Sequence, residues 1–264
     1  MSSNERRTVL VTGGSKGLGL ELAREFARRG YDLVLVARSQ MDLDRAATSL
    51  KSEGGCRVFT YAVDLARDQG PRMLFDWVKD AGIDVHVLVN NAGIGSYGTF
   101  ASIEPDRQLA MLRLNVLSLT ALTQLFLPSM LERRSGHILN VASLVAYFPA
   151  GPLWTCYVAS KHYVLAFSRG LAAELSGSGV SATALCPGPL TTDHAVDAGV
   201  SETRVYRWLP KVSVERVARA GVRAALNGRT VVVPGVVNRI NAFLGELPPR
   251  AIAQAVFSFL SRRA

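Results

Sequence analysis

The sequence contains few cysteines and few lysines. Its three cysteines, Cys56, Cys156 and Cys186, are an odd number, lie in apolar contexts and lack the spacing of a metal site. Buried, reduced thiols of a cytoplasmic protein are therefore expected, with no disulfide framework and no metal. Only five of the 30 basic residues are lysines, and the arginines are scattered with no run longer than a pair. The net charge of +9 therefore suits an anionic cofactor or surface, and no nucleic-acid partner is predicted.

We expect neither a secretory signal at the N-terminus nor a membrane span. The N-terminus, MSSNERRTVLV, has no apolar signal-peptide core. Two uncharged runs, residues 114–131 and 138–160, are long enough to raise the question of a span. The second contains Pro149 and Pro152, and the first better matches a core or subunit-interface helix. We expect neither run to cross a membrane.

Short apolar runs alternate with longer amphipathic segments along the 264 residues. Runs rich in Val, Leu and Ile occur near residues 8–11, 33–37, 58–63, 85–89, 137–141, 182–185 and 231–233. Strands that are apolar throughout are buried on both faces, which indicates a parallel sheet with helices on each side. The predicted fold is a single α/β domain, a Rossmann-type doubly wound parallel sheet of about seven strands.

The first predicted strand runs into the glycine-rich segment TGGSKGLG, residues 12–19, which opens directly into an amphipathic helix. Gly13, Gly17 and Gly19 allow a tight turn, close approach to a pyrophosphate and close helix packing. The N–H groups at the helix N-terminus would face the phosphate. This strand-loop-helix context favours nucleotide binding over a plain turn. The loop residues predicted to bind the cofactor are Gly13, Ser15, Lys16, Gly17, Leu18 and Gly19.

The end of the second predicted strand indicates which dinucleotide binds. An NAD site usually places a carboxylate there, for the ribose 2′-hydroxyl. This sequence has Arg38 instead, and the first acid is Asp42. Arg38, aided by Lys16 in the loop, would bind a 2′-phosphate. The alternative is that both are ordinary solvated cations. We predict NADP(H).

Three further polar positions leave alternatives open. Asp64, at the end of the third predicted strand, would either cap the next helix or bind an adenine edge. The fourth strand runs into NNAGIG, residues 90–95, whose small residues would let a cofactor ring pass close to the backbone or simply form a turn. Asn115 lies in an otherwise apolar helix, so it is either a satisfied core residue or part of a polar site. Taken alone, the core interpretation of Asn115 is favoured.

Ser143 is followed by Tyr157 and, four residues later, by Lys161. The spacing of Tyr157 and Lys161 places them on one face of a predicted helix. A nearby ammonium favours phenolate and would lower the tyrosine pKa by about three units, towards neutral pH. A general acid or base works best when its pKa is close to the pH of the reaction. The alternative is two amphipathic residues on a half-buried helix.

Taken together, these motifs resemble the short-chain dehydrogenase/reductase family over nearly the whole chain. The resemblance is carried by TGGSKGLG, Asp64, NNAG, Asn115, Ser143, YVASK and PGPLTT.

The resemblance implies a role for each site residue. Tyr157 would be the catalytic acid in reduction and the base in oxidation, with Lys161 holding the nicotinamide ribose and lowering the tyrosine pKa. Ser143 would polarise the substrate carbonyl, and Asn115 would position a water in a proton relay. The remaining implied cofactor contacts are Asp64, Asn91, Ala92, Gly93, Pro187, Gly188 and Thr192, with Lys16 and Arg38 at positions that are basic in NADP(H)-preferring members.

The chain is predicted to form a cofactor-binding and catalytic domain over residues 1–235, with a substrate lid at about 189–212, and a C-terminal helical extension over residues 236–264. In the extension, Ile252, Val256, Phe259 and Leu260 share one predicted helical face, framed by Arg250, Arg262 and Arg263. We expect this helix to pack on its own domain or across a subunit interface. Contact with an anionic membrane surface or a lipid-like substrate is the alternative. A homodimer or homotetramer is expected.

The predicted substrate-binding wall is apolar and aromatic. The lid carries Val196, Val200, Tyr206, Trp208 and Leu209, and the opposite side carries Tyr97, Leu144, Phe148, Leu153 and Trp154. His194 is expected at the surface or in the pocket wall. Such a lining suits an apolar or bulky carbonyl compound better than a sugar.

The predicted function is hydride transfer between NADP(H) and a carbonyl or secondary alcohol, with reduction of an apolar ketone or 3-oxoacyl-type substrate. The alternatives are a nucleotide-binding sensor or scaffold with little turnover, and a hydroxysteroid or alcohol dehydrogenase working oxidatively. The intact set of Ser143, Tyr157, Lys161 and Asn115 favours an enzyme.

Overall fold

Seven parallel strands form one sheet in the part of the chain that the computed structural model describes, residues 6–190, 202–247 and 249–262. The strands are β1 (Thr8–Thr12), β2 (Asp32–Ala37), β3 (Val58–Ala62), β4 (Val85–Asn90), β5 (Gly136–Val141), β6 (Val180–Leu185) and β7 (Val231–Val232). Their order is β3-β2-β1-β4-β5-β6-β7. The predicted fold class is confirmed, and each strand boundary lies within two residues of its predicted place.

The strand order reverses between β1 and β4, which are neighbours in the sheet although two strands separate them in the chain. At such a point the loops leaving the two strands turn in opposite directions. The crevice that opens at the carboxyl ends of the strands is where ligands bind in open α/β sheets. The fold therefore places the glycine-rich loop after β1 and the NNAG segment after β4 at one crevice.

Helices cover both faces of the sheet. They are α1 (Gly17–Ala27), α2 (Gln40–Gly54), α3 (Gly70–Asp80), α4 (Pro105–Leu112), α5 (Leu119–Glu132), α6 (Thr155–Glu174), α7 (Arg204–Trp208), α8 (Val214–Leu226), α9 (Val236–Glu246) and α10 (Arg250–Leu260). Helices α1, α2 and α8 pack on the face of β1 that presents Val9 and Val11. Helices α3, α5 and α6 pack on the face that presents Leu10. Both faces of the sheet are thereby removed from water, as its apolar strands require.

The stretch Pro105–Glu132 is long and apolar enough to cross a membrane by length and composition, a test that core helices also pass. In the fold, Leu122, Phe126 and Met130 of this stretch pack against the sheet. This packing agrees with the expected core helix. The stretch is not a uniform α-helix, because Arg113–Ser118 forms a π-helical turn between α4 and α5.

The C-terminal segment forms α9 and α10, and α10 packs on the same chain. Ile252, Val256 and Phe259 are exposed, whereas Ala253 and Phe257 are buried. Phe257 stacks on Phe148 with ring centroids 5.6 Å apart. The predicted packing of α10 on its own domain is therefore made through Phe257, and the expectation of a subunit or membrane contact for the exposed face stays a prediction.

Several residues singled out in the sequence lie outside the described part of the chain. They are Thr192, His194, Val196 and Val200 of the predicted lid, and Arg263 near the C-terminus. The expectations for these residues stay predictions.

Candidate active site

The glycine-rich loop lies between the end of β1 and the start of α1. Gly13 and Gly17 have φ values of +64° and +57°, which side chains with a Cβ rarely adopt. A Cβ at Gly19 would overlap the carbonyl oxygen of Gly13, so this position requires glycine for packing. Helix α1 begins after Lys16 without a side-chain cap and without an acid in its first turn. Its first N–H groups therefore suit the pyrophosphate of a dinucleotide.

Thr12 and Asn91 tie the glycine-rich loop to the NNAG segment. Thr12 Oγ1 accepts hydrogen bonds from the backbone N–H groups of Asn91 and Ala92, each at 3.0 Å. In return, Asn91 Nδ2 donates to the carbonyl oxygens of Thr12 (2.9 Å) and Gly13 (3.2 Å). The side-chain amide of Asn91 therefore links the NNAG segment to the glycine-rich loop. The cofactor contact expected of Asn91 stays a prediction, and its role in joining the two loops has no signal in the sequence.

The predicted 2′-phosphate residues, Lys16 and Arg38, are both exposed at the carboxyl ends of β1 and β2. The N–H of Gly14 donates to the Val36 carbonyl oxygen at 3.2 Å and so joins the loop to the end of β2. Within the described ranges, no ion pair or side-chain hydrogen bond engages the Arg38 guanidinium. Its charge fits a 2′-phosphate, because guanidinium binds phosphate in a bidentate manner.

Asp64 follows β3 and caps a turn. Its Oδ1 accepts the backbone N–H of Ala66 at 3.0 Å. The predicted helix cap was wrong, because α3 begins only at Gly70 with Gln69 as its N-cap, and the Asp64 carboxylate closes a turn before it. Contact with an adenine edge stays a prediction.

Asn115 lies in the π-helical turn between α4 and α5, and all of its amide contacts are internal. Its Oδ1 accepts the N–H of Ile94, and its Nδ2 donates to the Ile94 carbonyl oxygen, both at 3.0 Å. Nδ2 also lies 3.2 Å from Ser160 Oγ. Single π turns within helices occur frequently at functional sites. Asn115 is thus a satisfied buried residue, and its predicted part in a proton relay stays a prediction.

Gly93 lies between Asn115 and Lys161. A Cβ at Gly93 would lie 3.1 Å from Asn115 Oδ1 and 3.6 Å from Lys161 Nζ. The fold therefore brings a residue of the segment after β4 together with side chains from the π turn and from α6. These residues are far apart in the sequence and meet only in the folded chain.

Lys161 is buried on α6. Its Nζ donates a hydrogen bond to the Val141 carbonyl oxygen, 2.9 Å away at the end of β5. Burial disfavours the charged form and lowers the pKa of Lys161 to about 8. The ammonium therefore loses its proton at a lower pH than an exposed lysine, yet it is still mostly charged at neutral pH.

Tyr157 lies one helical turn before Lys161, with Lys161 Nζ 5.9 Å from the centroid of its ring. Burial raises the pKa of the Tyr157 phenol, and a hydrogen bond with Ser143 opposes the rise. The prediction that Lys161 lowers this pKa towards neutrality was wrong for the chain by itself. The physical reason is that desolvation of the phenolate outweighs the other contributions. Tyr157 is therefore a protonated phenol at neutral pH.

Ser143 reaches Tyr157 because of the turn that follows β5. It is the N-cap of the 3₁₀ turn Leu144–Tyr147, and its Oγ accepts the N–H of Val145 at 3.3 Å. The N–H of Leu144 donates to the Pro187 carbonyl oxygen at 2.8 Å. The segment after β6, with Pro187 and Gly188, is thereby joined to Ser143.

Asn238 of α9 lies against Gly188. A Cβ at Gly188 would lie 2.5 Å from both Nδ2 and Oδ1 of Asn238. Asn238 is buried, and its Nδ2 donates to the Pro234 carbonyl oxygen at 2.8 Å. The C-terminal segment thus contacts the loop predicted to hold the nicotinamide carboxamide. No local sequence signal marks Asn238, since the contact joins residues fifty positions apart.

Aromatic side chains form a wall beside Tyr157. The ring of Trp154 lies 5.8 Å from that of Tyr157, 6.0 Å from that of Tyr97 and 6.3 Å from that of Phe257, between centroids. Leu153, just before Trp154, has a φ of +72°, a strained value for a leucine. Strain of this kind clusters at functional sites.

The outcomes for the other predicted wall residues are mixed. Tyr206 of α7 packs on this wall, and burial together with the nearby Tyr157 raises the pKa of its phenol. Phe148 also packs there, next to Phe257. Leu144 instead lies in the core beneath α6, because it follows the buried end of β5. Trp208 is exposed and packs against Phe259.

Comparison with known proteins relates this geometry to a family. The sequence model of a family described as "short chain dehydrogenase" matches residues 7–203. The chain is 35% identical over 236 residues to the ketoacyl reductase HetN of Nostoc sp., a match that covers 88% of this chain and 80% of that protein. It is 36% identical over 185 residues to the very-long-chain 3-oxoacyl-CoA reductase of Macaca fascicularis, covering 68% of this chain and 58% of that protein.

A solved structure matches the fold over almost the whole chain. It is a short-chain dehydrogenase from Sphingobium yanoikuyae in complex with NADPH, with a TM-score of 0.81 and 30% identity. The match covers 96% of this chain and 95% of that one. The similarity of fold therefore extends over nearly all of the chain.

Proposed function

The chain belongs to the short-chain dehydrogenase/reductase family, and from this premise we propose that it uses NADPH to reduce an apolar ketone or 3-oxoacyl-type substrate. It is an oxidoreductase of alcohol and ketone groups with NADP(H) as its cofactor. The observation that carries the proposal is the hydrogen bond between Ser143 and Tyr157, beside the buried Lys161 and at the same edge of the sheet as the glycine-rich loop.

The cofactor site has a matching set of residues. Gly13, Gly17 and Gly19 allow the close backbone approach, and the uncapped N-terminus of α1 would receive the pyrophosphate. Arg38, with Lys16, would bind the 2′-phosphate. Pro187 and Gly188 would hold the nicotinamide end, next to Ser143. When bound, NADPH would supply the hydride.

Tyr157 would act as the general acid. Because burial raises its pKa, the phenol is protonated at neutral pH and can donate to the oxygen of a substrate carbonyl. Ser143, in contact with Tyr157, would donate to the same oxygen and hold the carbonyl in place. The charge of Lys161 would stabilise the phenolate left behind, and Asn115 would position a water for return of the proton.

The substrate class is inferred from the wall beside Tyr157 and from relatives. Tyr97, Phe148, Trp154 and Phe257 present aromatic rings there, which suits an apolar substrate. The names of two relatives, a ketoacyl reductase and a very-long-chain 3-oxoacyl-CoA reductase, agree with this inference. This protein spans only 58% of the second relative's length. The proposal of a 3-oxoacyl substrate is therefore based on the aromatic residues beside Tyr157 as well as on the name of that relative.

The test is a panel of substrates, with turnover measured by the change in NADPH absorbance. It compares apolar ketones and 3-oxoacyl thioesters with polar ketoses, each with NADPH and with NADH. The proposal predicts the highest kcat/KM for apolar or 3-oxoacyl substrates with NADPH. Turnover confined to ketoses would overturn the substrate class, and NADPH binding without turnover of any carbonyl would favour the sensor alternative.

We also infer that the chain forms a homodimer or homotetramer. Leu109, Leu117 and Tyr163, on α4, the π turn and α6, are exposed apolar or aromatic side chains on neighbouring elements. Exposed apolar side chains on neighbouring elements commonly become buried in the interface between subunits of an oligomer. Mass measurement in solution tests this, and a monomer at micromolar concentration would contradict it.

A further inference from the structure

Helix α9 presents its large apolar side chains to solvent and its small and polar residues to the protein. Its buried residues are Asn238, Ala242 and Gly245. A Cβ at Gly245 would lie 2.7 Å from the Tyr147 carbonyl oxygen, so the helix packs closely through this face. The helix cannot rotate to bury its apolar side chains without losing that close packing.

The exposed apolar residues of α9 recur at helical spacing and continue onto α10. We call them the C-terminal apolar surface: Val236, Ile240, Phe243 and Leu247, together with Ile252 and Val256 of α10. Phe243 is 64% exposed and Ile252 is 63% exposed. The two helices contact each other and are joined by a short linker. Contiguous exposed apolar residues of this kind mark an interaction surface.

The charged residues around this surface are mainly cationic. Arg239 on α9, Arg207 on α7 and Arg262 after α10 are exposed, and Arg204 on α7 is half-buried. The carboxylates of the same segments are Glu202 and Glu246, and Glu246 is paired with Arg169 at 3.0 Å. The Arg204 guanidinium lies 4.2 Å from the centroid of the Phe259 ring. Arginines beside exposed aromatic and aliphatic side chains are typical of helices that lie in a membrane interface.

We propose that the C-terminal apolar surface docks on an anionic lipid bilayer, with α9 and α10 lying in the plane of the interface. The apolar helix Ala251–Leu260 is only ten residues long, too short to cross a bilayer, so these helices would lie on the membrane. A second copy of the chain is the competing occupant. A symmetric dimer through this surface would place the same arginines opposite one another, which disfavours it, whereas anionic lipid complements them.

The orientation has a consequence for the active site. The opposite face of α10 carries Phe257, which contacts Phe148 and Trp154 of the wall beside Tyr157. Docking through Ile252 and Val256 would therefore set the substrate side of the protein against the lipid.

The experiment is flotation of the full chain with vesicles of phosphatidylcholine, alone or mixed with phosphatidylglycerol. We expect binding to the mixed vesicles that weakens in high salt, because the arginine contribution is screened. The Ile240→Gln/Phe243→Gln variant should bind at least about tenfold more weakly, since two exposed apolar side chains are lost. Arg239→Gln should weaken binding only to the mixed vesicles.

Matched controls exist elsewhere on the surface. Met41→Gln/Met73→Gln removes two equally exposed apolar side chains from α2 and α3, and Arg216→Gln removes an exposed cation from α8. Both should bind vesicles as the parent does. The thermal unfolding temperature without vesicles should be unchanged in all these variants, which shows that they are folded.

Three results would overturn the proposal. The parent chain could fail to float with the mixed vesicles. The Ile240→Gln/Phe243→Gln variant could bind as well as the parent. Mass measurement could instead show a dimer that this variant splits, without vesicle binding, which would assign the surface to a second copy. Because flotation needs no turnover, these results are independent of the proposed reductase activity.

Discussion

Lys161 donates a hydrogen bond from Nζ to the carbonyl oxygen of Val141, 2.9 Å away. The contact fixes the ammonium at the carboxyl end of β5, where the chain turns towards Ser143. A buried ammonium with a backbone carbonyl as its partner is costly to keep charged. The catalytic part of the site is therefore a strained electrostatic arrangement, and its consequences can be measured.

Replacing Lys161 by methionine should stabilise the chain at neutral pH and abolish turnover. The pKa of Lys161 is about 8 in the folded chain, against 10.5 for an unperturbed lysine. Below pH 8, Lys161 is charged in both the folded and the unfolded chain, so the folded state carries the full cost of the buried charge. Between pH 8 and 10.5, Lys161 is neutral in the folded chain but still charged in the unfolded chain, so this cost disappears. The advantage of Lys161→Met in unfolding free energy should therefore shrink by about 3 kcal/mol as the pH rises through this window.

Chemical denaturation of both proteins at several pH values measures that difference. The comparison cancels the other titrating groups, which both proteins share. A stability difference independent of pH between 7 and 10 would show that the charge of Lys161 is not strained, and would contradict the burial argument.

Replacing Tyr157 by phenylalanine should remove the general acid while leaving the fold and cofactor site in place. We expect kcat to fall by about 10²- to 10⁴-fold, with NADPH affinity changed little. Tyr163→Phe is the matched control, because Tyr163 lies on the same helix but is exposed. Steady-state turnover and NADPH titration by fluorescence check both effects. Retention of full activity in the Tyr157 variant would rule out its assigned role.

Replacing Arg38 by aspartate should change cofactor choice. Loss of a charged hydrogen bond to the 2′-phosphate, worth about 1.5–3 kcal/mol, corresponds to roughly tenfold or more in the Kd of NADPH. The new carboxylate should improve NADH binding by accepting from the 2′-hydroxyl. Arg45→Asp makes the same charge change on α2 as a control. If both variants lose NADPH affinity equally, the effect is one of net charge and Arg38 has no specific contact.

Replacing Phe257 by alanine should loosen α10 and enlarge the space beside Trp154. Truncation of a buried phenylalanine costs about 3–5 kcal/mol, so α10 should become sensitive to proteolysis and KM for a bulky ketone should rise. Phe259→Ala, two residues along the same helix, removes a side chain that is 52% exposed and should have a much smaller effect. Equal effects of the two substitutions would contradict the observed packing of α10.

Much of the fold and part of the site could be predicted from local patterns. The apolar runs predicted all seven strands, because strands buried on both faces must be apolar throughout. The glycines at 13 and 17 were expected to turn tightly, and both have positive φ. The Ser143–Tyr157 contact joins two residues that the sequence analysis had placed in one site.

Other features could not be predicted because they depend on contacts between distant residues. The sequence placed Ile252, Val256, Phe259 and Leu260 on one face of α10, but it did not identify the side chain through which α10 packs on its own chain. The structure buries Phe257, since Phe148 and Trp154 provide its partners. The role of Asn91 in joining two loops and the π turn around Asn115 likewise depend on neighbours from other segments.

Tyr157 shows the same difference between what local sequence predicts and what the folded chain determines. The sequence by itself determined that Tyr157 and Lys161 lie on one face of a helix, because helical periodicity is local. Only the tertiary structure decided their electrostatics, because desolvation depends on what surrounds the pair. Spacing alone predicted a lowered pKa for Tyr157, whereas burial in the folded chain raises it. The Lys161 ammonium donates its hydrogen bond to the Val141 carbonyl oxygen. The sequence therefore predicted which groups react, and the fold determines the pKa values of those groups.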